Sequence, residues 1–366
     1  MEKKLGFGCM RLPMKNGKVD YNEFIQMIDY YIEHGFHYFD TAHGYLGGES
    51  EVALQKCLTS RYKREDYILT DKLTKPYFKK KEDIKPFFES QLKILGVDYF
   101  DYYLMHAQDR DNYKHFMKCK AYEVAKELKE EGKIKHIGIS FHDTADVLEM
   151  ILKEHPEIEI VQIQFNYVDY LDPSVQSKKV YDICRKYNKP ILVMEPVKGG
   201  GLVRLPEDAK KVFDKINVGK NLSYASYAVR FAASFDGIYQ VLSGMSDFDQ
   251  VKDNVSYMEE FEPLNEAEMK AVEEVRTILK NLGGIPCTAC RYCTDGCPMK
   301  ISIPDLFACY NAKKQFNDWN SNYYYDIYTK ENGKASECIK CGQCERVCPQ
   351  HLKIRDLLDE VVKTFE

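Results

Sequence analysis

The chain has 366 residues, enough for one large domain with a smaller companion or for two of middle size. Its net charge of −5 gives no basic footprint and argues against nucleic acid as a partner. No run of about 18 apolar residues is present and the first residues lack a signal-peptide core, so neither a membrane span nor secretion is expected and the protein reads as cytoplasmic.

Eight β-prone runs follow in order: LGFGCM, FHYFDTA, YILTDK, DYYLMH, KHIGIS, IVQIQFN, PILVMEP and IYQVLSG. Between them lie helix-length segments, among them 22–34, 82–95, 121–131, 174–187 and 246–259. Eight strands alternating with helices over about 250 residues predict an α/β fold of the (β/α)8 TIM-barrel type. An open doubly wound sheet alternates similarly, but LGFGCMRL lacks the GxGxxG that favours it.

In such a barrel, chemistry belongs at the carboxyl ends of the strands. There the polar residues appear: Asp40 after the second run, Lys72 ending the third, His106 the fourth, Ser140 the fifth, and Gln164 with Asn166 the sixth. Tyr45 follows Asp40 on a glycine-bearing loop. An Asp40–Lys72 pair would hold an ammonium near the Tyr45 hydroxyl and is expected to lower its pKa, while His106 points an N–H at a substrate oxygen. Singly, each residue has a bland reading, since Tyr45 is one of 27 tyrosines and an Asp–Lys pair is often structural. Four complementary groups at three successive strand ends are harder to dismiss.

The DTAxxY spacing of Asp40 to Tyr45, the lysine of ILTDK, the histidine of YYLMH, and the IGIS and QIQFN segments resemble the aldo-keto reductase superfamily. The resemblance implies a nicotinamide cofactor, NADP or NAD, across the barrel mouth and a catalytic tetrad of Asp40, Tyr45, Lys72 and His106, with Tyr45 as general acid. It also implies that Ser140 and Gln164 hold the nicotinamide carboxamide and Asn254 the adenine end. Further cofactor contacts are expected from Gly8, Cys9 and Met10 after the first strand, from Met194, Glu195, Val197 and Gly201 after the seventh, and from Gly244 and Gln250 after the eighth. Met194 stands where many members carry a stacking tyrosine, and Gly244 and Gln250 replace basic residues that pair with a 2′-phosphate. These departures keep NAD, and a flavin in place of nicotinamide, as alternatives.

Segment 263–282 reads as a capped amphipathic helix. Of the thirteen cysteines, nine fall between positions 287 and 348, a clustering that favours metal or redox chemistry over disulfides. Cys287, Cys290, Cys293 and Cys297-Pro298 match C-x2-C-x2-C-x3-C-P, and Cys338, Cys341, Cys344 and Cys348-Pro349 match it 51 residues later. CPMKISIPDLF parallels CPQHLKIRDLL, so this is an internal repeat. In two-cluster ferredoxins the fourth cysteine of each run serves the other cluster, so one 4Fe-4S cluster is expected on Cys287, Cys290, Cys293 and Cys348, and a second on Cys338, Cys341, Cys344 and Cys297. Zinc needs neither the third cysteine nor the CP ending. Cys309 lies outside both runs and reads as core. The 40 residues between the runs predict inserted helices.

The composite resembles the iron-sulfur branch of the aldo-keto reductases: a barrel over 1–262, a connector helix over 263–284 and a mainly helical ferredoxin-like domain over 285–366. A nicotinamide passes two electrons as hydride and a cluster passes one, so the halves need a converter to exchange electrons. Three functions follow: an NAD(P)-linked oxidoreductase on a small carbonyl or alcohol, docked or coupled to a ferredoxin or other one-electron carrier; a flavin- or ferredoxin-dependent reductase; and a non-catalytic electron-transfer module.

Overall fold

The computed structural model describes residues 3–287, 289–294, 296–348 and 350–366; Pro349 of the second motif lies outside them. All eight runs form strands: β1 (Leu5–Gly8), β2 (Tyr38–Asp40), β3 (Ile68–Leu73), β4 (Phe100–Gln108), β5 (Ile134–Phe141), β6 (Ile160–Gln164), β7 (Ile191–Met194) and β8 (Ile238–Ser243). Each pairs in parallel with its sequence neighbour, and β8 closes on β1 as a barrel.

Alternation along the strands divides two cores. Outward residues such as Phe39, Leu69, Ile139, Val161 and Val193 join the main core, whereas Tyr38, Leu104, Ile160, Leu192 and Leu242 fill the interior. Gly138 on β5 makes room there, because a Cβ would fall 2.4 Å from Leu104 and 2.6 Å from Ile160. One layer nearer the carboxyl ends, the same inward frame presents Asp40, Lys72, His106 and Gln162. The apolar plug thus becomes the floor of a polar site.

The expected connector forms a helix over Glu266–Lys280, capped by Asn265 in a reciprocal pair with Glu268. Glu268 also accepts two hydrogen bonds from buried Arg230 of the barrel helix Tyr224–Ala233, which pins the connector to the barrel. Beyond it, helices Ile303–Phe316, Asn320–Lys330 and Ile354–Phe365 surround a second core that includes Ile301, Leu306, Phe307, Tyr324 and Leu358. The repeat is conformational as well as sequential. Left-handed residues Ala289, Arg291 and Lys300 recur as Lys340, Gly342 and His351, again 51 positions on.

Helix Asn320–Lys330 lies across the barrel mouth. Tyr328 donates to the Ser174 carbonyl at 2.5 Å and Lys330 pairs with Asp111 at 3.0 Å. Beneath it, buried Lys198 bridges Asp169 of the barrel and Asp318 of the C-terminal region, each at 2.7 Å.

Candidate active site and cluster cavities

Asp40 ends β2, and parallel register sets Thr70 of β3 beside it, so Lys72 stands one step higher on the same inward face. Its Nζ donates to Asp40 Oδ1 at 2.6 Å and to the Thr41 carbonyl at 2.7 Å. The same ammonium lies 4.9 Å from the centre of the Tyr45 ring. Gln162 of β6 donates to the other Asp40 oxygen at 3.1 Å. The His106 ring meets Tyr45 edge-on at 6.0 Å, and His106 Nδ1 lies 2.7 Å from the Thr74 hydroxyl.

Burial dominates the titration of these groups. It opposes charge on Lys72, but Asp40 and Tyr45 more than compensate and the ammonium is held protonated. Burial, together with Lys72 and His142, drives His106 well below the usual histidine range, so its ring is neutral at physiological pH. A Thr74 hydroxyl that donates to Nδ1 leaves the ring proton on Nε2. Tyr45 departs from expectation. Its pKa is raised, because burial of the phenol outweighs the opposing pull of Lys72. The sequence indicates the cation but not that burial outweighs its pull.

Asp40, Tyr45 and His106 line a cavity of about 940 Å³, and Lys72 is buried behind them. Of the residues expected to contact a cofactor, Gly8, Met10, Met194, Glu195, Val197, Gly244, Gln250 and Asn254 line it. Four expected contacts do not. The Cys9 thiol turns into the core toward the Phe7 carbonyl, and Gly201 is covered by Phe316. Ser140 spends its oxygen on the Ala107 N–H at 2.7 Å, and Gln164 donates to Asp169 at 2.7 Å. Gln162, on the same strand face two residues earlier, borders the cavity instead.

Two smaller cavities lie in the C-terminal region. Cys287, Cys290, Cys293 and Cys348 line one; Cys297, Cys338, Cys341 and Cys344 line the other. Each therefore combines three thiols of one run with the fourth of the other. The backbone N–H groups of Ala289 and Ile301 approach Cys287 Sγ and Cys297 Sγ at 3.4 Å. Among the described residues no three His, Cys, Asp or Glu side chains converge on a single-ion site. Cys309 is buried in the core, as expected.

The family described as "Aldo/keto reductase family" matches residues 4–277. The chain belongs to that family. A second match, to a 4Fe-4S dicluster domain, covers residues 286–352 of this aldo-keto reductase. The chain is 24% identical over 301 residues to the uncharacterized oxidoreductase YqkF of Bacillus subtilis, covering 74% of this chain and 91% of the relative. It is also 24% identical over 297 residues to the NADH-specific methylglyoxal reductase of Escherichia coli, covering 69% and 89%. Among solved structures, aldo-keto reductase AKR11C1 from Bacillus halodurans in its holo form superposes with a TM-score of 0.60 at 28% identity, covering 74% and 91%. An aldo-keto reductase from Klebsiella pneumoniae in complex with NADPH shares the fold at TM-score 0.61 and 18% identity, covering 75% and 95%.

Sequence reasoning missed several residues bordering this reductase's cavity. Arg11 and Arg204 stand beside Gly244 and the Gly199–Gly200 turn, bringing positive charge where none was expected. His142, two positions after Ser140, was within reach of a strand-end count. Trp319, Asn320 and Tyr323 come from the segment between the cysteine runs, and no local motif signals that it reaches the barrel. No helix among the described residues is long and apolar enough to cross a membrane.

Proposed function

We propose that this aldo-keto reductase reduces a small-molecule carbonyl with a nicotinamide cofactor, using Tyr45 as the proton donor. The observation that carries the reading is Lys72, fully buried, bonded to Asp40 and set against the Tyr45 ring in the wall of one cavity. When bound, the nicotinamide supplies the hydride. His106 presents Nε2–H to the substrate oxygen and polarises the carbonyl. Tyr45, protonated at physiological pH and the more so for its raised pKa, gives its hydroxyl proton to that oxygen as negative charge develops. Lys72 stabilises the phenolate left behind, so the ion pair lowers the cost of the step most when the charge appears.

The cavity fits such a cofactor at both ends. Asn254 Oδ1 is buried without a partner, as suits an acceptor for an adenine amino group. At the other end a Cβ on Gly8 would stand 3.3 Å from the Ser243 carbonyl, so the missing side chain keeps the floor open. Arg11 and Arg204 suit phosphate oxygens. The NADPH of the Klebsiella neighbour agrees with this reading. A flavin is the second reading, favoured only by Met194, whose side chain leaves the ring contact unspecific.

The two thiol cavities are assigned two 4Fe-4S clusters with crossed fourth ligands, since eight thiols and no histidine surround them. Cys290 and Cys341 are exposed, so clusters held there would be within reach of a ferredoxin or similar one-electron carrier. The deciding experiment is Tyr45→Phe in cluster-loaded protein. Carbonyl reduction should fall by about 10²–10⁴ with unchanged cluster absorbance. Undiminished turnover would sink the proposal.

A further inference from the structure

The carboxamide of Asn320 is buried to 1% exposure, yet neither its Nδ2 nor its Oδ1 has a hydrogen-bond partner. Buried side-chain polar groups in native proteins are rarely left unpaired, and an amide missing both is rarer. The same residue lines the cavity of Tyr45 and His106. It is also held in place. Its backbone N–H donates to Asp318 Oδ1 at 3.0 Å, and Asp318 is paired with buried Lys198. Tyr323, one turn on, meets His142 edge-on at 5.5 Å, and His142 is close enough to bias the charge of His106. This wall therefore runs from the turn that carries Lys198 to His142, along the cavity that Tyr45 and His106 also line.

We propose that Asn320, carried by the segment between the two cysteine runs, is a substrate-specificity residue that binds a hydroxyl group beside the reacting carbonyl. The inference rests on the carbonyl-reductase reading. An amide with a free donor and a free acceptor is satisfied by a neutral group that both accepts and donates. A carboxylate would occupy Nδ2 and leave Oδ1 facing a negative charge. A hydroxyl meets both requirements, and the unpartnered Nδ1 of His142 offers a second contact on the same wall. The substrate class is a hydroxy-aldehyde or hydroxy-ketone.

Trp319, the only tryptophan of the chain, sits next to Asn320 and lines the same cavity, so its emission reports occupancy without turnover. The probes are glyceraldehyde and propanal, which share three carbons and differ in hydroxyls, titrated into cluster-loaded protein saturated with NADP+. The native chain should bind glyceraldehyde about tenfold more tightly. Asn320→Leu should abolish that preference while leaving propanal unchanged, and Asn320→Asp should retain part of it. Equal affinity in the native chain, absence of binding, or a preference that survives Asn320→Leu overturns the inference. So does a loss confined to NADP+ affinity, which would place the amide on the nicotinamide. Because the readout is binding, a failure of Tyr45→Phe to reduce turnover would leave this result standing and remove only the assignment of the proton donor.

Discussion

At the scale of single residues, the proposed catalytic end of the cavity rests on the difference between a group's identity and its environment. Lys72 favours the Tyr45 phenolate, yet enclosure of the hydroxyl wins in the resting protein and keeps the proton on oxygen. The sign follows directly. Tyr45 is protonated at all pH values below its raised pKa, so carbonyl reduction should stay flat through neutrality and fall only in strongly alkaline solution. Alcohol oxidation, which needs the phenolate as base, should rise over that range; pH–rate profiles in both directions check this. A neutral His106 requires no protonation, so no loss of activity should appear as pH passes through the ordinary histidine range. A Thr74 hydroxyl that donates to Nδ1 would act through His106 by fixing its tautomer. Thr74→Val should lower kcat about tenfold with little change in KM, and Thr74→Ser should restore it. Asp40, Tyr45, Lys72 and His106 were legible because strand ends are countable. Gln162 was not, because a strand that shows glutamine at two inward positions does not say which one the neighbouring loop will claim; Asp169 claims Gln164.

Among the elements, the barrel was the most readable part, since β-prone runs and helix-length spacers recur eight times and each supports the next. Its tightest point is β5. Gly138→Ala would press a methyl into Leu104 and Ile160, and the expected cost is about 1–3 kcal/mol in chemical unfolding. The segment between the cysteine runs was readable only as helix. Its two helices are there, but their destination is set by tertiary partners: Ser174 for Tyr328, Asp111 for Lys330 and Asp169 through Lys198. None of these pairings has a sequence period. The same holds for Arg230 and Glu268, a bidentate pair 38 positions apart that fastens the expected connector helix to the barrel.

For the whole molecule, Lys198 is the keystone between the barrel and the C-terminal region. Asp318→Ala leaves its buried ammonium with one carboxylate where there were two, which should cost about 1–3 kcal/mol and expose the Asn320–Lys330 helix to protease before the barrel unfolds. Limited proteolysis beside thermal unfolding checks the order. Cys297 and Cys338 flank this region in sequence yet line the same small cavity. The intervening chain leaves that cavity, crosses the barrel mouth and returns to it. If one cluster ties both ends, the roof of the active site is a cross-linked loop of about 40 residues, and the link removes about 4 kcal/mol of unfolded-chain entropy by the loop-closure relation. Dismantling that cluster would then release the roof like an opened clasp, so that loss of iron registers first as a change in which substrates the reductase admits.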